Sequence, residues 1–143
     1  NLQDGELSSS TGLSNMRIGT AQDDVVMGIC DDPLDSNSFY IVGATQGVIE
    51  RSTNDDGDLS TPPTSLSAFV AKMNLNTLTI QWSRQFGARM SSDDASTPTS
   101  VFAAGCSVKG KTLYVAGGVE AGAGLIQGLD ILTSQGSDDI WVA

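Results

Sequence analysis

Polar and apolar residues alternate most cleanly over residues 78–86. Leu78, Ile80, Trp82, Arg84 and Phe86 fall on one side, and Thr79, Gln81, Ser83 and Gln85 on the other. A period of two marks a β-strand, because successive side chains of an extended chain point to opposite faces. The mainly apolar side is expected to be buried, and Arg84 on it to find an aspartate partner, since a desolvated charge needs one. A shorter strand, residues 68–73, precedes it across the turn-like Asn74-Leu75-Asn76-Thr77. The whole stretch 68–87 is the pattern around which the chain is organised.

Similar pieces recur on either side. Residues 25–30, 39–43, 101–108 and 113–117 are short apolar runs rich in β-branched and aromatic residues, and each reads as a strand. No apolar 3.6-residue period persists long enough for a helix. Residues 121–132 come nearest, but Gly122, Gly124 and Gly128 would each cost about 1 kcal/mol there. Residues 46–66 and 120–135 are long excursions rich in Asp, Ser, Thr, Pro or Gly, and are expected on the surface.

The pieces repeat in order. Gly19 matches Gly87, Asp24 matches Asp94, Gly43 matches Gly117 and Phe69 matches Trp141, at offsets of 68, 70, 74 and 72 residues. Near-constant spacing, with length changes confined to loops, indicates an internal repeat of about 70 residues. Each copy holds four strands. The copies are expected at residues 1–73, entering at the fourth strand of a unit, and at 74–143, so the chain reads as part of a larger array.

Composition agrees. Only 6% of residues are aromatic and sixteen are glycine, which favours short strands and turns over packed helices. A net charge of −10 from scattered charges disfavours nucleic acid and anionic membrane surfaces. No apolar run approaches the roughly 18–20 residues that span a bilayer, and no secretion signal is visible in the sequence.

Four short strands repeated in tandem are the signature of a β-propeller blade. The motifs resemble the β-propeller repeat, or SBBP repeat, family. Its units carry a W-x-R-Q-F-G-like strand end, an Asp-Asp pair, an apolar strand, Y-V-x-G and D-x-F-V-x-K. Here these are Trp82-Ser83-Arg84-Gln85-Phe86-Gly87, Asp93-Asp94, Tyr114-Val115-Ala116-Gly117 and Ala68-Phe69-Val70-Ala71-Lys72. The first copy has Asp23-Asp24 and Tyr40-Ile41-Val42-Gly43 but Ser14 in place of the Trp. The resemblance implies an all-β fold of two tandem four-stranded propeller-like blades. It also implies a module of a large secreted or surface protein.

Candidate chemistry is sparse. With no histidine, a Ser–His or Cys–His nucleophile is excluded in its usual form. Carboxylate-based sugar cleavage is the enzymatic alternative. Yet Asp24, Asp94 and Asp139 recur at blade corners, where such residues cap turns. Residues 52–60 partly resemble a calcium loop, with Asn54, Asp56 and Asp58 as ligands, although Ser52 and Ser60 replace carboxylates at its ends. Cys30 and Cys106 stand at matching places in the two copies and are expected to be separate buried thiols, because equivalent residues of adjacent blades are too far apart to bond. Trp82, Phe69 and Trp141 are expected between blades, and Gly43, Phe86, Gly87 and Gly117 are expected in structural roles. The favoured function is a non-enzymatic structural or protein-interaction module. Its partners are further blades of the chain or neighbouring subunits, with carbohydrate possible through exposed aromatics. A calcium-stabilised adhesion module is the third reading.

Overall fold

The computed structural model describes residues 18–49, 52–54, 65–90, 98–120, 123–126 and 139–143. They form strands and no helix, so among them no helix is long and apolar enough to cross a membrane. The strands are β1 (Asp24–Asp31), β2 (Ser38–Thr45), β3 (Ser52–Asn54), β4 (Ser67–Asn74), β5 (Ile80–Phe86), β6 (Ala88–Met90), β7 (Pro98–Thr99), β8 (Val101–Lys109), β9 (Thr112–Val119), β10 (Ala123–Ile126) and β11 (Asp139–Val142). The protein is all-β.

Two antiparallel sheets carry the architecture. The first runs β1-β2-β4-β5, each strand beside its neighbour in the meander, with β3 added parallel to the outer edge of β5. The second runs β8-β9-β11 in the same sense. A small sheet, β10-β6-β7, ties the 120–135 excursion to the segment between them. Because β5 lies beyond residue 73 yet completes the first sheet, sequence repeat and structural sheet are offset by one strand.

Turn chemistry explains the meander. Between β1 and β2, Asp32 accepts the Leu34 amide and Asp35 accepts the Asn37 amide, the side-chain turns Asp favours. Between β4 and β5, the Asn74 carboxamide oxygen accepts the amides of Asn76 and Thr77, and Leu78 takes a left-handed φ of 52°. A two-residue turn with Gly110 at φ 61° joins β8 to β9.

The two sheets share local features. β1 carries a bulge between Val26 and Gly28, and β8 carries one between Ala103 and Gly105. Facing each bulged strand is a glycine on the next, Gly43 or Gly117. Each glycine lies under the aromatic ring of its partner on the third strand, Phe69 or Trp141. A Cβ on Gly43 would overlap the Val25 carbonyl oxygen, and one on Gly117 the Phe102 carbonyl oxygen, so the approach of strand to bulge requires glycine at both.

Each sheet has two faces, and the ladders sort residues between them. The front of the first sheet bears Val42, Ala68, Val70 and Phe86, and the back of the second bears Val101, Ala103, Val115 and Trp141. These form one buried core. Phe86 and Trp141 meet edge to face at 5.6 Å, and the Trp141 indole N–H donates to the Gly118 carbonyl at 3.1 Å. The back of the first sheet holds a second core of Ile41, Phe69, Ala71, Met73 and Ile80, against which Ile18, Phe39 and Ile49 pack.

Three expectations change. The strand starts at Ile80, not Leu78, and a register shift at Lys72/Met73 turns Ile80 to the back while Trp82, Arg84 and Phe86 share the front. Trp82 is consequently 39% exposed and Arg84 is exposed too, beyond the area the second sheet covers, whereas the polar Ser83 and Gln85 are buried. The 46–66 excursion is not wholly a surface loop. Ile49 is buried in the back core, and Gln85 holds its backbone, accepting the Ile49 amide at 3.0 Å and donating to the Gly47 carbonyl at 2.7 Å.

Candidate interaction surface

The seam between the sheets is closed covalently. Cys30 and Cys106 form a disulfide with Cα atoms 5.9 Å apart, which overturns the expectation of two free thiols. The physical reason lies in the register. Cys30 pairs across the ladder with Tyr40, and Ser107 pairs with Tyr114, so the counterpart of Cys30 is Ser107. Cys106 pairs with Val115 and so corresponds to Ile29, which pairs with Ile41. One step along a strand reverses the face. Cys30 therefore faces forward from its sheet and Cys106 faces backward from the next, and the two meet. Equivalent positions could not have met.

Beside the disulfide, at the same end of the first sheet's front, lies a charged cluster. Lys72 donates to Asp32 at 2.8 Å and approaches Asp35 at 3.7 Å. Tyr40 donates its hydroxyl to the same Asp32 at 3.0 Å, and the Lys72 ammonium sits 5.7 Å from the centre of the Tyr40 ring. Trp82 stands 6.0 Å from Tyr40, ring to ring. The hydrogen bond from Lys72, then that from the Leu34 amide, hold the Asp32 carboxyl below the usual range. Asp35 is lowered by hydrogen bonds from the Ser38 hydroxyl and the Asn37 amide. Lys72 is raised chiefly by its bond to Asp32, and Tyr40 is raised by burial and by the same carboxylate. Every charge of the cluster has a partner, so it is a clamp that ties the β1–β2 turn to β2 and β4 and leaves an indole exposed at its rim.

The remaining candidate residues are placed as follows. Asp24 opens β1, where its carboxylate accepts the Thr20 amide and the hydroxyls of Thr20 and Thr45. In the ladder its counterpart is Val101, since Asp24 faces Thr45 and Val101 faces Val119. Asp94 lies outside the described residues. Asp139 opens β11 opposite Val119. At the start of β8, Glu120 accepts the Ser100 amide at 3.2 Å. Gly87 follows β5 directly. Of the calcium-loop residues, Asn54 ends the short parallel strand beside Gln85, and Asp56 and Asp58 lie outside the described residues. Among the described residues no three or more His, Cys, Asp or Glu side chains gather as a metal site.

Asp32 goes unmarked in the sequence, and Tyr40, Lys72 and Gln85 stand there only as motif residues without a role. A lysine in the middle of the apolar run 68–73 was the available signal, because a cation there needs a carboxylate nearby. Comparison with protein-family models, curated proteins and solved structures finds no match.

Proposed function

We propose that this chain is a rigid segment of a β-propeller-like scaffold of the SBBP-repeat type. In this reading it serves as a structural and protein-interaction module of a larger secreted or cell-surface protein. The observation that carries the reading is the stacking of two equivalent meander sheets, front against back, with matched bulges and matched glycine–aromatic pairs. A four-stranded blade needs a neighbour on each face, and stacking repeats buries a continuous core. The disulfide is compatible with an oxidising, extracellular compartment.

The mechanism is presentation. The strands hold fixed positions while the excursions at 46–66 and 120–135 vary in length and composition, so partner contacts belong to them. The test is binding of the purified protein to an array of extracellular proteins and glycans, repeated with residues 55–64 replaced by a short Gly-Ser link. The shortened variant is expected to melt within a few degrees of the parent and to lose an array partner. Partners bound equally by variants shortened in either excursion would overturn the reading.

A further inference from the structure

The two interfaces of the second sheet differ, and that difference carries an inference about what covers its front. Ile140 and Val142 on β11 correspond to Ala68 and Val70 on β4, since Trp141 and Phe69 hold the same place over their glycines. Ala68 and Val70 are 0% and 5% exposed because the back of the second sheet covers them, while Ile140 and Val142 are 91% and 66% exposed. Tyr114, the counterpart of Tyr40, is 45% exposed beside them. Short apolar side chains at these positions suit a covered face, and a bare contiguous apolar patch marks a docking site.

We infer that the front of the second sheet is built to be covered by the back of a third antiparallel sheet of the same repeat. This deepens the scaffold reading and depends on it. The interface between the first two sheets states the occupant's chemistry: an apolar back face with an aromatic ring seated over a glycine on the adjoining strand. Among the described residues, a second copy of the present chain offers no such face. The back of its first sheet is already buried, with Ile18 and Ile49 against it, and the back of its second sheet is buried in the seam. Sheet upon sheet is thus a directional stack, with one end filled from within the chain and the other open. At the next interface Ser107 stands where Cys30 stands at the first, so the natural contact there has no such disulfide.

That substitution supplies the test. The full chain is extended after Ala143 by a second copy of residues 72–143, which continues the register in which Ala143 matches Ala71. Ser107→Cys is then made in the original chain. If the third sheet docks as the second does, mass mapping of non-reduced peptides finds the introduced thiol bonded to the appended repeat's Cys106, with the native Cys30–Cys106 bond intact. A non-covalent readout accompanies it. Ile140→Asp in the original chain should lower Tm by more than about 4 °C in the extended protein and by less than about 1 °C in the 143-residue chain, where Ile140 is already 91% exposed. An introduced thiol that stays free beside an intact native bond, with Ile140→Asp silent in both proteins, overturns the third-sheet inference and leaves the scaffold reading standing. A bond between two chains through the introduced thiol overturns it in favour of a second copy. Loss of the native Cys30–Cys106 bond overturns the stacked reading itself.

Discussion

At the residue scale, stability hangs on a few groups with no substitute. Asp32 accepts from Lys72, Tyr40 and the Leu34 amide at once, so its ionised form is favoured in the folded state. Because Asp32 and Asp35 are shifted downward, their contribution is present above about pH 4, where unfolded aspartates have titrated, and is lost as pH falls through the folded values. Lys72 and Tyr40 are shifted upward, so theirs is complete below about pH 10 and fades as pH rises through the raised values. Urea unfolding across pH should show a plateau between these limits, and Asp32→Asn should lower the plateau and flatten the acid side. An acid limb unchanged by that substitution would remove Asp32 from the account. Gly117→Ala should cost about 2 kcal/mol or more, because Phe102 backbone and the Trp141 ring occupy the space a methyl needs.

At the element scale, the strands were legible and their faces only partly so. Short runs of Val, Ile, Phe and Tyr mark β1, β2, β8 and β9 directly, and Asn74 marks the turn before β5. The face assignment of β5 failed at one register shift: period two reads through a bulge as if it were not there, so Ile80 and Trp82 were put together. The disulfide is hidden by a turn instead. The β1–β2 connection is longer than the Gly110-Lys111 turn that joins β8 to β9, so spacing read along the chain makes Cys30 and Cys106 look equivalent, when their ladders set them one step apart and on facing surfaces. Closing a loop across 76 residues, this bond should contribute about 2–4 kcal/mol. The double variant Cys30→Ser with Cys106→Ser is expected to unfold at lower denaturant with unchanged far-ultraviolet circular dichroism. An unchanged midpoint would mean that the seam does not need its staple. Gln85→Ala should cost about 1–3 kcal/mol, leaving the Ile49 amide and Gly47 carbonyl without their partner.

At the scale of the whole molecule, the matched spacing of Gly43 with Gly117 and of Phe69 with Trp141 is legible in the sequence because one glycine–aromatic geometry is used in both sheets. What the sequence pattern did not reveal is how the copies meet, since that depends on which residue of each pair faces forward. The stacked sheets explain why the apolar residues of β4 are almost wholly buried while their counterparts on β11 face outward. The most direct measurement of this arrangement is the nuclear Overhauser spectrum of the unmodified protein. The account predicts cross-peaks between the Phe86 ring and the Trp141 indole, which lie in different sheets but in one core. Intact cross-strand peaks within each sheet, with none between those two rings, would show two sheets that do not stack and would contradict it.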